Sequence, residues 1–199
     1  PTLVFSLAMG LCLAATSVAT WVAGGQLRLS HRRRVGATTI VALSPLLLGT
    51  LLQTRYDLVL AALLGWTLVA ALAKRFGWMW VLLALATAIK LVPIVLILVL
   101  GIWHVHHRGL RAAMRGGALA GAIVAATLVP FLVLAPGGTW QLFQYHLARP
   151  LQMESFGSSL IQSLGLPFRQ VSSYGSDNID GALPAAAATL STLAFVFAV

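Results

Sequence analysis

Acid is what this sequence most lacks. Asp57, Glu154, Asp177 and Asp180 are its four carboxylate side chains in 199 residues, against thirteen Lys and Arg, which leaves a net charge of +9. Charge of either sign is scarce: 9% of residues carry it, where a soluble domain has about 25%. With 59% of residues hydrophobic, a water-soluble globule is excluded. Cysteine occurs once, at Cys12, which rules out an intrachain disulfide framework and says nothing about redox compartment. A phosphate-binding glycine loop, zinc-ligand spacing, a serine-hydrolase elbow and an internal repeat are also missing. Basic charge by itself suits nucleic acid. The apolar load argues against that partner and for a polytopic membrane protein whose charges lie in its loops.

What is present is a series of apolar runs. A hydrocarbon core of roughly 30 Å needs about 20 apolar residues per helical span. Runs that meet or approach this are Pro1 to Gly25, Gly36 to Gln53, Leu58 to Ala73, Trp78 to Trp103, Ala118 to Ala135, and Ala182 to Val199. The first has neither an initiator Met nor a basic stretch ahead of it, so it does not read as a signal peptide. The chain reads as one transmembrane domain, 1–199, cut from a longer membrane protein at both ends.

Nine basic residues fall in three connections: Arg28 with Arg32, Arg33 and Arg34; Lys74 with Arg75; and Arg108 with Arg111 and Arg115. The positive-inside rule makes these cytoplasmic. A single crossing from Trp78 to Trp103 would put the third outside. Pro93 offers a resolution, since it disfavours helix at Val92 and removes a backbone donor. A break at Leu91 and Val92 leaves two arms of about 12 residues, roughly 18 Å each, too short to cross alone. The run then becomes a re-entrant or broken helix pair; the alternative is one tilted, kinked helix. On the re-entrant reading all four acids face the extracytoplasmic side.

Lys90 lies deep in the fourth run, where an ionisable group is a functional hypothesis by default. Beside a helix amino-terminus begun by Pro93, its ammonium suits a phosphate. The alternative is that it snorkels, or pairs with a carboxylate such as Asp57. The outer loop 136–181 carries an expected interfacial amphipathic helix from Thr139 to Arg149 and a second, serine-capped helix from Ser158 to Leu164, stopped by Gly165 and Pro167. Between them His146, Arg149, Gln152, Glu154 and Ser155 gather a base, a cation, an amide, a carboxylate and a hydroxyl; a solvated loop with an Arg149 to Glu154 ion pair is the plainer reading. His104, His106 and His107 end an apolar helix beside Arg108, so no metal site is expected. Gly117 and Gly121 form a GxxxG, read as helix packing. Trp21, Trp78, Trp103 and Trp140 fall near predicted membrane boundaries.

The ordered set Arg55-Tyr56-Asp57-Leu58, Ala88-Ile89-Lys90-Leu91-Val92-Pro93, Arg149 to Ser155 and Ser172 to Asn178 resembles the actinobacterial membrane glycosyltransferases of family 87, over roughly Ser44 to Gly181. The resemblance implies an all-α, GT-C-like integral membrane bundle and a polyprenyl-phosphate sugar donor, usually of mannose. It further implies an inverting transfer to a lipid-linked or glycan acceptor outside the cytoplasm, with no cofactor and no metal. The general base such enzymes use, an aspartate of the first outer loop, would precede Pro1. A leaving phosphate gains most from cations as its bond breaks, so Lys90, Arg149 and Arg55 are the candidates for donor-phosphate binding. Glu154 and His146 are secondary acid-base candidates, and Asp57 is expected to hold Arg55. A transporter or flippase also needs a broken helix with a charge at depth, and a non-catalytic scaffold would tolerate loss of Lys90.

Overall fold

Alanine- and leucine-rich runs favour helix, and each apolar run named above contains one in the computed structural model, which describes residues 2–48, 56–141, 150–173 and 175–198. The chain is all-α, with 80% of it helical. It divides into two compact units, Pro1–Val129 and Pro130–Val199.

The first unit contains α1 (Thr2–Gln26), α2 (His31–Leu48), α3 (Asp57–Leu72), α4 (Phe76–Ile89), a 3-10 turn (Val92–Val95), α5 (Leu96–Arg108) and the N-terminal part of α6 (Leu110–Leu134). Of these, α1 from Leu3 onward and α6 are long and apolar enough to cross a membrane. Helices α1 and α3 run parallel: Gly65 lies over Ala19, where an added Cβ would meet the alanine methyl at 3.1 Å, and further along both helices Ala23 packs near Val69. Their C-termini therefore share one end of the unit. Both close in the same way, with Arg28 and Lys74 held at φ of 57° and 55°. Arg28 N–H donates to Gly25 and Leu29 N–H to Gly24; Lys74 N–H donates to Ala71 and Arg75 N–H to Ala70. These are Schellman closures, and a glycine is the usual occupant of that left-handed position. From the next turn Arg34 folds back over Trp21, 4.0 Å from the ring centroid, in space left open by Gly24 and Gly25.

Trp78 to Trp103 is not one rod. Helix α4 ends at Ile89, Lys90 is extended (φ −148°, ψ 130°), and α5 begins only at Leu96. The break falls one to two residues earlier than expected from Val92, because the proline ring clashes with the carbonyl four residues back, that of Ile89, and offers it no N–H. The arms then fold together. Trp80 Nε1–H donates to His104 Nδ1 at 2.9 Å, and Phe76 stacks on the same imidazole at 4.1 Å. Trp80 and His104 lie at matching distances either side of Val92, as in a hairpin. The start of α4 and the end of α5 consequently share the end of the unit where α1 and α3 terminate.

Gly109, at φ +82°, alone separates α5 from α6. Arg111 and Arg115 are thus on the first turns of α6 rather than in a loop, and that helix starts eight residues before the apolar run expected at Ala118. It packs through Ala113, Gly116 and Ala120. Gly117 and Gly121, expected to carry close packing, have no neighbour within 4 Å of an added Cβ among the described residues. Trp80 fills the space beside Gly116 and sits in a core of Ala70, Met79, Leu83, Ala84 and Ala120.

The second unit holds the end of α6, a helical stretch at 136–141, α7 (Phe156–Ser163) and α8 (Ala182–Ala198). It also contains a small sheet where the sequence pattern predicts only loop: β1 (Leu151–Gln152), β2 (Arg169–Ser173) and β3 (Ser176–Asp180), in the order β1-β3-β2, all antiparallel. Its register pairs Leu151 with Ile179 and Ser173 with Ser176. Ile179, fully buried, packs with Leu151 and Ile161. Asn178 is buried on the other face, donating from Nδ2 to the Ser173 carbonyl at 2.7 Å and to the Ser176 carbonyl at 3.1 Å. Helix α7 is capped by Ser155, whose Oγ accepts from Ser158 N–H at 3.2 Å; the cap is three residues before the one expected at Ser158. Gly165 ends the segment at φ +64°.

Candidate functional site

Lys90 is the last residue before the chain turns, and Asp57 is the first of α3. Their side chains meet across 33 residues of sequence, with Nζ donating to Oδ1 at 2.8 Å. Each charge stands where a helix favours it: the ammonium at the C-terminus of α4 and the carboxylate at the N-terminus of α3. Side-chain exposures of 45% and 43% mean that solvent screens the pair, so it contributes about 0–1 kcal/mol at most. Its effect is positional. An ammonium has three donors; among the described residues one is engaged, by Asp57, and the neighbouring Leu91 and Val92 are more than half exposed. Neither the 3-10 turn nor α5 has a side-chain cap, while the amides of Lys90, Ile94 and Leu96 donate to backbone carbonyls. What the break offers an anion is therefore chiefly the ammonium, beside the start of a helical turn.

Asp57 meets Lys90, the alternative open to the lysine; the contact expected between Asp57 and Arg55 falls outside the described residues. Arg55, Arg149 and His146 lie outside the described residues, as does most of the helix expected from Thr139 to Arg149. Glu154 is exposed, in the turn closed by Ser155 N–H donating to the Gln152 carbonyl at 2.9 Å, next to the α7 cap. It belongs to the second unit, whereas Lys90 and Asp57 belong to the first.

The histidines have structural neighbours. His104 is buried between Phe76 and Trp80, and His107 Nδ1 lies 2.9 Å from the Trp103 carbonyl. The contact among Trp80, His104 and Gly116 carries no sequence motif. Its one signal is positional: Trp80 and His104 stand 12 residues on either side of Val92, the spacing of partners in a hairpin.

With the geometry in place, comparison with known proteins decides the family. The sequence model for glycosyltransferase family 87 matches residues 1–199. The chain belongs to glycosyltransferase family 87. Neither a curated protein nor a solved structure matches it. This family 87 chain is accordingly a glycosyltransferase, of a membrane-associated family. Within the family 87 chain, the described elements of the resemblance have distinct structural positions. Lys90 and Asp57, from two separate motifs, form the ion pair at the helix break. Asn178, from a third, holds the tip of the β2-β3 hairpin.

Proposed function

We propose that this glycosyltransferase moves a sugar, mannose in the family resemblance, from a polyprenyl-phosphate donor to a lipid-linked or glycan acceptor on the extracytoplasmic side of the cell membrane. On this reading the chain is a multi-pass GT-C-like bundle, and α4 with α5 is a re-entrant pair. What supports it is one observation: Lys90 and its Asp57 partner lie at a broken, uncapped turn, at the end of the first unit opposite the three basic connections. Under the positive-inside rule those connections are cytoplasmic, and the break then opens to the outer half of the membrane. Backbone freed at such depth is tolerable where it lines a wet cavity or is covered by protein, which is the setting a prenol-borne phosphate requires.

Lys90 in this scheme grips the donor phosphate and stabilises the charge that grows on it as the anomeric C–O bond breaks. Asp57 orients the ammonium. Arg149 and Arg55 complete the cationic set, while Glu154 and His146 assist at the acceptor. The attacking hydroxyl passes its proton to a general base as its oxygen bonds to the anomeric carbon. Family membership favours this reading over a transporter or flippase, which would share the broken helix.

The experiment is Lys90→Met in the intact protein, assayed for transfer from a polyprenyl-phosphate sugar in reconstituted vesicles. Loss of turnover by two orders of magnitude or more, about 2.7 kcal/mol of transition-state stabilisation, with unchanged expression and melting temperature, is expected. Turnover within threefold of the native enzyme would remove the phosphate role.

A further inference from the structure

At the end of the first unit opposite Lys90 lies a cavity of about 410 Å³, lined by Lys74, Arg108 and Arg115 around a floor of Phe76, Trp80 and His104. Its cations come from three different places on two connections: the α3-α4 turn, the end of α5 and the start of α6. Lys74 is held there in a left-handed backbone conformation that a lysine adopts at a cost. All but two of the thirteen Lys and Arg lie in the first unit, which has a single acidic residue, Asp57. That carboxylate is paired with Lys90 at the opposite end. Among the described residues Lys74, Arg108 and Arg115 make no ion pair. Converging cations without an internal counter-charge call for an anion from outside. Leu119 lines the same cavity and is exposed; Trp78 and Trp103, outside the lining, are exposed near the same ends of α4 and α5. A basic hollow with an exposed leucine in its wall and interfacial tryptophans at the same level suits a ligand with a charged head and an apolar tail.

We infer that this cavity binds the phosphate headgroup of an anionic phospholipid, with Arg108, Arg115 and Lys74 on the phosphate and the acyl chains along the α4, α5 and α6 surfaces. This is a second lipid site, separate from the donor site proposed at Lys90. It clamps the open end of the α4-α5 hairpin to α6.

The test uses the intact protein in detergent and native mass spectrometry, with three probes: dioleoyl phosphatidylglycerol, dioleoyl phosphatidylcholine and sn-glycerol 3-phosphate. The native protein is expected to retain phosphatidylglycerol over phosphatidylcholine, and millimolar glycerol 3-phosphate is expected not to displace it. Arg108→Gln with Arg115→Gln should weaken retention about tenfold or more. Arg32→Gln with Arg33→Gln, an equal loss of exposed charge elsewhere, should change it less than about twofold. Lys74→Gly removes a cation while relieving the left-handed strain, so it should weaken binding with no loss of melting temperature. Equal effects of the two arginine pairs, full retention in Lys74→Gly, or displacement of the lipid by glycerol 3-phosphate would each overturn the inference. Lys90→Met should bind phosphatidylglycerol as the native protein does, so this site and the donor site fail separately.

Discussion

Replacing Gly116 by alanine is expected to cost far more than the same change one residue later. A methyl at Gly116 would overlap Nε1 and Cδ1 of Trp80, a ring that is 2% exposed and cannot swing into solvent. Overpacking of this kind costs about 1–3 kcal/mol. Moving the indole also breaks its hydrogen bond to the buried His104, worth about 0.5–1.5 kcal/mol. Alanine in a helix recovers about 0.5–1 kcal/mol over glycine, leaving a net loss of roughly 0.5–4 kcal/mol, centred near 2. Gly117→Ala has open space and keeps only that gain. In thermal unfolding of the purified protein the two variants should therefore differ by about 5–15 °C, with Gly116→Ala the lower. Because Trp80 ties α4 to α5, Gly116→Ala should also lower transfer activity without touching the helix break. Melting temperatures within about 2 °C of each other would refute the hairpin packing on which the site rests.

Other expectations follow from the same contacts. Asp57→Asn removes a screened ion pair, so stability should change by less than about 1 kcal/mol while the donor KM rises several-fold, a split that steady-state kinetics with varied donor would reveal. Asn178→Ala strips the β2-β3 tip of its buried donor and leaves the Ser173 and Ser176 carbonyls without it; a loss of about 2–3 kcal/mol should appear as faster proteolysis between residues 166 and 180. With Cys12 replaced, a cysteine at the exposed Ser172 should react with an impermeant thiol reagent outside the cell, and one at the exposed His106 should not. The reverse pattern would overturn the sidedness proposed above.

Much of the fold is legible in the residues themselves. Pro93 announces the break, since a residue without an N–H cannot continue a helix; its position requires the clash with Ile89 to be weighed along with the restriction on Val92. The Lys90 to Asp57 contact is readable only as one alternative among several, because a pairing 33 residues apart depends on how α3 and α4 pack. Hydropathy starts α6 too late, for it finds the apolar part of a helix, and Arg111 and Arg115 are good helix formers outside that part. The sheet escapes the sequence pattern because its strands carry little alternation: Val171 and Ile179 are the apolar members of Arg169–Ser173 and Ser176–Asp180. Its surviving signal is the two-residue link Tyr174-Gly175, with Gly175 at φ +68°. The GxxxG pattern misleads by one position, as packing selects Gly116, the glycine that faces an indole.

The folded-back arms of α4 and α5 bear on how crossings are counted in this protein. On the re-entrant reading proposed above, a segment that enters and leaves by the same face adds zero to the parity of the chain, and Arg75 and Gly109 would share one compartment despite the apolar stretch between them. Reporter fusions at those two points should give the same signal, and a tally that scores Trp78 to Trp103 as one passage would invert every later assignment.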